Sequence, residues 1–172
     1  MLDSSTSIKI NASAVTSLIG KAPSIAIAYA SSGISGLGNE SVIITDGSIE
    51  ANLFKSLDEY TTGIIDATSV ISLTGSYSDL NTIYNSSGIS GLGNEEIIIS
   101  DATLAASLLN TLDEYTTGNI DASTVTTFTG NVSDINAAYS SSDISGLSNE
   151  EIIISDTTIA DSLLNTLDKN TA

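Results

Sequence analysis

The sequence predicts an α/β protein, a right-handed solenoid of 55-residue repeats in which short parallel β-strands alternate with short helices. The decapeptide SSGISGLGNE occupies residues 31–40 and returns at 86–95, and SSDISGLSNE fills 141–150. Residues 57–111 and 112–166 differ at only 17 of 55 positions. A fixed period of this length is typical of solenoids, because each unit buries its apolar face against its neighbours.

The repeat makes residues 1–172 a single domain whose units are 2–56, 57–111 and 112–166, with the start of a fourth at 167–172. Two strand–helix pairs of about 24 and 31 residues fit each unit, near the size of a leucine-rich repeat. Because the connections between parallel strands are right-handed, strands should line one side and helices the other. The alternatives are a β-solenoid with helical decorations and a single coil of two or three strands per unit.

In the corner decapeptide, Gly91 and Gly93 are expected to take positive φ where the chain turns from helix to strand. Ile89 and Leu92 should hold this corner against the core. Asn94 is expected to bond to nearby backbone amides, and its copies predict a stacked asparagine ladder at 39, 94 and 149.

The corner is followed by EIIIS at 96–100, a β-branched run that suits a strand buried on both faces. Asp101 is placed to cap a helix that starts near Ala102. The apolar face of this helix is predicted to contain Leu104, Leu108, Leu112 and Tyr115. Gly118 should end the helix in the left-handed conformation.

The second strand–helix pair begins with IDASTVTTFTG at 120–130, whose threonines and Val125 favour a strand. Its first residues, within NIDAS, would add a third short strand. Asn131 or Ser133 is expected to cap a short helix. The core face of that helix should consist of Val132, Ile135 and Tyr139.

The composition excludes several classes of function. The net charge is −17, with four lysines and no arginine, so binding to nucleic acid or to an anionic bilayer is not expected. No apolar run is long enough to be inserted in a membrane. The chain has no cysteine and no histidine, so thiolate metal sites and serine or cysteine triads lack their components. No catalytic residue and no cofactor are predicted, and the chain is not expected to be an enzyme.

Calcium is the cation that an acidic surface of this kind would select, through oxygen ligands. The candidate ligands are Asn94, Glu95, Asp101, Asn149, Glu150 and Asp156. The sequence contains no calcium-loop motif, so no metal site is expected. Asp101 is better explained as a helix cap and Glu95 as a solvated charge at the corner.

The tyrosines suggest a second kind of binding surface. Tyr60 and Tyr115, and separately Tyr29, Tyr84 and Tyr139, recur at repeat positions and would stack into aromatic rows that bind glycans. Tyrosines at helical spacing are more often part of the core.

The stretch DASTVTTFTGNVSDINAAYSSSDISGLSNEEIIISDTTIADSLLNTLD at 121–168 resembles the long tandem repeats of giant bacterial cell-surface proteins and adhesins, of marine cyanobacteria especially. The resemblance implies an extracellular stalk or spacer without catalytic residues, whose partners are neighbouring repeats of the same chain. An adhesive module that binds cell-surface glycans or proteins, with or without calcium, is the alternative. The first unit departs from the pattern at Lys9, Lys21, Pro23 and Ser24.

Both ends of the array carry unusual lysines. Lys9 lies within the first strand-like segment, and Lys169 with Asn170 replaces the Glu-Tyr pair of the other units. These residues predict that the ends resist stacking on other copies.

Overall fold

The computed structural model describes residues 8–171, in which parallel strands alternate with short helices. The strands are β1 (Ile10–Asn11), β2 (Ser17–Gly20), β3 (Ile34–Ser35), β4 (Ser41–Ile44), β5 (Ser48–Glu50), β6 (Ile65–Asp66), β7 (Ser72–Gly75), β8 (Ile89–Ser90), β9 (Glu96–Ile99), β10 (Thr103–Ala105), β11 (Ile120–Asp121), β12 (Thr127–Gly130), β13 (Ile144–Ser145) and β14 (Glu151–Ile154). The helices are α1 (Ala22–Ala30), α2 (Ala51–Tyr60), α3 (Tyr77–Tyr84), α4 (Ala106–Asp113), α5 (Val132–Ser140) and α6 (Asp161–Asn170).

We use the word rung for each stretch that begins with one of the two-residue strands (β1, β3, β6, β8, β11 and β13) and ends with the next helix. The rungs are numbered 1 to 6 after the helices that they contain. Odd rungs have two strands, whereas rungs 2 and 4 have a third strand directly before the helix. The α/β class with parallel strands and short helices is confirmed. The short strand predicted directly after the corner decapeptide is present as β9, and the short strand predicted within NIDAS is present as β11.

All strand pairs are parallel, and partners lie about one rung apart in sequence. Ser72 in β7, for example, pairs with Ser48 on one side and with Glu96 on the other, 24 residues away in each direction. The chain therefore returns to the same ladder after about 24 residues, and the alternative of one coil per 55-residue unit is wrong.

The ladders do not stay in one place along the array. Their orders are β1-β3, β2-β4-β6-β8, β5-β7-β9-β11-β13 and β10-β12-β14. The third strands of rungs 2 and 4, β5 and β10, each start a new ladder. The first strands of the even rungs, β3, β8 and β13, each end one. The ladders of one unit are therefore displaced by one strand relative to the ladders of the unit before it.

One cluster of buried side chains runs through all three units. It includes Ile44 from the first unit, Leu73 and Leu109 from the second, Phe128 from the third and Leu167 from the start of the fourth. Four of these five side chains have no exposed surface, and Leu167 is 5% exposed. Burial of such side chains is worth about 1.5–3 kcal/mol each relative to solvent, which makes the shared core the main stabilising feature.

One of the predicted elements is placed differently. Helix α4 begins at Ala106 rather than near Ala102, and Leu104 lies in strand β10, where it pairs with Phe128. Residues 120–130 form two strands, β11 and β12, separated by a turn, and β11 is the short strand expected within NIDAS. The helix after Asn131 is confirmed, because the Asn131 side chain accepts a hydrogen bond from the Asp134 amide at 2.8 Å.

Within residues 8–171, every helix is too short or too polar to traverse a lipid bilayer.

Candidate functional site

The corner decapeptide is the most regular polar structure in the chain. Gly91 and Gly93 have φ values of 88° and 129°, as predicted. A β-carbon on Gly91 would lie 2.8 Å from the Thr68 amide nitrogen, so the neighbouring rung leaves no room for a side chain. Ile89 and Leu92 are half-buried against the core, which confirms that they hold the corner in place.

Glu95, at the end of this corner, is buried, and its prediction as a solvated charge is wrong. Only 1% of the residue is exposed. Its carboxylate accepts hydrogen bonds from the Gly93 amide at 3.0 and 2.9 Å, from the Asn94 amide at 3.1 Å and from the Tyr84 hydroxyl. Bonds of this charge-assisted kind offset the desolvation of the buried carboxylate.

The segment after helix α4 closes the corner from the next rung. The Thr116 hydroxyl donates to the Glu95 carbonyl oxygen at 2.7 Å, and the Gly118 amide donates to the Thr116 hydroxyl at 2.9 Å. Gly118 does not have positive φ, contrary to prediction. It is glycine because a β-carbon there would overlap the Glu95 carbonyl group. The repeated TTG is the sequence signal for this contact, and its role was not predicted.

The same arrangement recurs in the other units. Glu40 is buried and accepts hydrogen bonds from Tyr29, Gly38 and Asn39. Glu150 accepts hydrogen bonds from Tyr139, Ser148 and Asn149 but is only half-buried. Each such set consists of a tyrosine hydroxyl, a glutamate carboxylate and two corner amides, and we call it a Tyr–Glu corner.

In the first unit, the Tyr–Glu corner changes the pKa of both Tyr29 and Glu40. Burial raises the pKa of Glu40, but the hydrogen bonds from Tyr29 and the backbone amides outweigh it and leave the pKa below its usual value. Burial and the Glu40 carboxylate raise the pKa of Tyr29 well above 10. Burial and the Glu95 carboxylate raise the pKa of Tyr84 in the same way.

We expect Tyr29→Phe to lower the free energy of unfolding by about 1–2 kcal/mol at neutral pH, because a hydrogen bond to a carboxylate is lost. This loss should be largest from about pH 5 to 10. Below that window Glu40 becomes protonated, and the stability that its lowered pKa provides in the wild type disappears. Above it, tyrosine ionises in the unfolded wild type before the folded one, so the stability that the raised pKa of Tyr29 provides is also lost. Denaturant unfolding from pH 3 to 11 measures the difference.

Tyr60→Phe is the control, because the Tyr60 hydroxyl makes no hydrogen bond within residues 8–171 and the residue is 43% exposed. Its effect should be small and should not vary between pH 3 and 9. A Tyr29→Phe effect that is equally flat over that range would contradict the ionic bond at this corner.

The aspartates that follow strands β4, β9 and β14 cap helices of the preceding rung, not the helices that follow them in the chain. The Asp101 carboxylate accepts a hydrogen bond from the Tyr77 amide at the start of α3, at 2.7 Å. Asp46 and Asp156 do the same for the first amides of α1 and α5, at 2.7 and 2.6 Å. The predicted cap of a helix starting at Ala102 is therefore wrong. Each aspartate instead joins two successive rungs, since a carboxylate at a helix N-terminus is favourable.

The residues considered as calcium ligands take part in different contacts of the fold. Glu95 and Glu150 belong to Tyr–Glu corners, Asp101 and Asp156 cap helices, and Asn94 and Asn149 supply corner amides. Among the described residues, no group of three or more acidic side chains is positioned to share a metal ion.

The predicted stacks of equivalent residues are not formed. Ladder partners lie 24 or 23 residues apart, so the asparagines at 39, 94 and 149 are not in adjacent rungs. The tyrosines stack in pairs across non-equivalent positions, Tyr29 with Tyr60 at 5.4 Å and Tyr84 with Tyr115 at 5.2 Å between ring centroids. Continuous aromatic rows are therefore absent from residues 8–171.

Comparison with known proteins gives no relative: no family model, curated protein or solved structure matches the chain.

Proposed function

We propose that this chain is a structural module, a right-handed solenoid that acts as a spacer or stalk in a secreted or cell-surface protein. The observation that carries the proposal is that pairing between units is the same as pairing within them. Strand β7 bonds to β5 of the first unit in the same parallel way as it bonds to β9 of its own unit. A continuous core then holds successive units at a fixed distance.

The polar residues of the repeat support a structural role. The recurring glutamates, aspartates and threonines bond to backbone groups of their own or a neighbouring rung. A hydrogen bond of this kind contributes about 1 kcal/mol, and its repetition makes the junctions between rungs specific. We propose no catalytic role for these groups.

The composition supports a location outside the cell. A net charge of −17 keeps the surface soluble, and only four lysines and no arginine are available to trypsin-like proteases. Nucleic acid is not a partner in this proposal, because its phosphates would be repelled.

The spacer model predicts the length of a longer array. Each unit contributes two rungs, so a further unit should add about 10 Å along the axis at a strand spacing of about 4.8 Å. An independently folded 55-residue bead would instead add about 25 Å, given the radius of gyration expected for that size.

The experiment is to insert a second copy of residues 57–111 after position 111 and to measure the maximum dimension by small-angle X-ray scattering. We expect an increase of about 10 Å and one cooperative thermal transition at a higher temperature than in the original chain. An increase near 25 Å, or a separate transition for the added unit, would contradict a continuous solenoid.

A further inference from the structure

Tyrosine is the side chain of this protein that is most open to oxidation. The chain has no cysteine, no tryptophan and no histidine, and its single methionine is Met1. Its six tyrosines are Tyr29, Tyr60, Tyr77, Tyr84, Tyr115 and Tyr139. A one-electron oxidant that meets this chain therefore takes its electrons mainly from tyrosine rings, since the usual competing thiol and thioether groups are missing or limited to one residue.

Four of the six tyrosines form two stacked pairs. Tyr29 in α1 stacks on Tyr60 in α2, with the ring centroids 5.4 Å apart and the ring planes inclined by 21°. Tyr84 and Tyr115 repeat this arrangement one unit later, at 5.2 Å and 23°. Nearly parallel rings at these distances are offset stacks, whose carbon atoms lie in van der Waals contact. A bond between two such rings needs a local displacement of the side chains and no opening of the fold.

One phenol of each pair already donates its proton to a carboxylate. Tyr29 donates to Glu40, and Tyr84 donates to Glu95. A phenol loses an electron more readily when its proton leaves in the same step, and a carboxylate within hydrogen-bond distance is a base in position to accept that proton. Both glutamates are only 1% exposed, so the proton acceptor is a buried part of the fold.

The second phenol of each pair has different surroundings in the two units. Tyr60 is 43% exposed, so an oxidant in solution reaches its ring directly and water takes its proton. The Tyr115 ring is half-buried, and its hydroxyl donates to the Asn81 side chain at 2.9 Å and accepts from the Asn85 side chain at 2.9 Å. The pair in the first unit is therefore the more accessible of the two.

We propose that each stacked pair is a site of oxidative cross-linking, at which a one-electron oxidant from outside the chain, such as the oxidised haem of a peroxidase, joins two tyrosines as dityrosine. Tyr29 would lose an electron to the oxidant and its proton to Glu40. Tyr60 would lose an electron to a second oxidant and its proton to water. The two radicals combine through the ring carbons next to their hydroxyls, and the hydrogens on those carbons then move to the phenol oxygens. In all, the pair loses two electrons and two protons, and Glu40 returns its proton to solvent.

The product joins neighbouring parts of the solenoid by a covalent bond. One link fixes α1 to α2, and the other fixes the end of α3 to the segment that follows α4. Holding two rings in contact favours this reaction over coupling between separate chains. The proposal goes beyond the spacer function, which needs no covalent bond between rungs.

The third unit supplies an internal control. Tyr139 donates to Glu150 as in the other Tyr–Glu corners, but its ring meets Phe128 edge-on, with the centroids 6.1 Å apart and the planes at 83°. Within residues 8–171, Tyr77 and Tyr139 have no tyrosine stacked on them. Tyr139 is therefore a phenol bound to a carboxylate without a partner ring, and it should not be cross-linked within the chain.

The test is photo-oxidation of the dilute 172-residue chain with tris(bipyridine)ruthenium and persulfate, followed by trypsin digestion and mass spectrometry. Trypsin cuts after lysine, so Tyr29 lies in fragment 22–55 and the other tyrosines lie in fragment 56–169. We expect monomers with dityrosine fluorescence in which these two fragments are linked and each pair has lost two hydrogens. Tyr60→Phe should remove the link between the fragments.

Two double variants, each with four tyrosines, separate pairing from tyrosine content. Tyr60→Phe with Tyr115→Phe breaks both pairs and should abolish cross-linking within the chain. Tyr77→Phe with Tyr139→Phe keeps both pairs and should retain it. Links that persist in the first variant, links that disappear in the second, or links only between separate chains overturn the proposal. Circular dichroism melts verify that each variant is folded.

Glu40→Gln tests the carboxylate as proton acceptor. The amide is a much weaker base, so the link between Tyr29 and Tyr60 should form several-fold more slowly, while the loss of two hydrogens within fragment 56–169 of the same molecules keeps its rate. An unchanged rate for the first link overturns the transfer of the proton to Glu40. All of these outcomes leave the scattering test of the spacer unaffected.

Discussion

Replacing Gly91 with alanine is expected to lower the free energy of unfolding by about 3 kcal/mol, among the largest effects of any single methyl group in this chain. The residue has φ of 88°, which disfavours any side chain. The added carbon would also lie 2.8 Å from the Thr68 amide nitrogen, so the adjoining rung must move. Equilibrium unfolding in urea measures the loss.

Two other glycines separate these causes. Gly93 has φ of 129°, but its β-carbon would meet nothing closer than the Tyr115 carbonyl oxygen at 3.7 Å, so Gly93→Ala reports the backbone cost alone, about 1–2 kcal/mol. Gly47 lacks positive φ, and its β-carbon would be 3.6 Å from Ile71, so Gly47→Ala should change stability by less than about 1 kcal/mol. Equal effects at all three positions would refute the close packing of the corner.

The second large effect is expected at Leu109. Leu109→Ala should lower the free energy of unfolding by about 3 kcal/mol or more, because the side chain is completely buried between rungs and its removal leaves a cavity. Leu164→Ala changes the same residue type at the same repeat position, where the side chain is 48% exposed. We expect less than about half the effect there, since less apolar surface returns to water.

Both leucine variants are compared at the same protein concentration. Thermal unfolding followed by circular dichroism is sufficient. A Leu164→Ala loss as large as that of Leu109→Ala would show that the Leu164 side chain is buried in solution and would contradict its exposure in the structure.

The period and the corner glycines were predictable because they depend on local sequence. A repeated SGLGN between apolar runs indicates a tight turn wherever it lies, and Gly91 and Gly93 behave accordingly. The cap at Asn131 was predictable for the same reason: donor and acceptor lie three residues apart.

The errors concern contacts between rungs. Asp101 looks like the cap of the segment that follows it, but its partner is the Tyr77 amide, 24 residues earlier. Glu95 looks exposed because a glutamate in a glycine-rich loop usually is, whereas its burial depends on Tyr84 and on the segment around Thr116. Residues 103–105 form a strand because β12 is beside them, and the unpaired copy at 158–160 does not. No local pattern contains this information.

The displacement of the ladders from one unit to the next has a consequence for how the repeats face their surroundings. Two returns to a ladder take 48 residues, so a 55-residue unit in the proposed solenoid advances its corner by roughly 100° about the axis. Successive Tyr–Glu corners then face different directions around the axis of the solenoid. In such a solenoid, a ligand that needs a straight row of identical contacts at the spacing of one unit would not find that row among the Tyr–Glu corners.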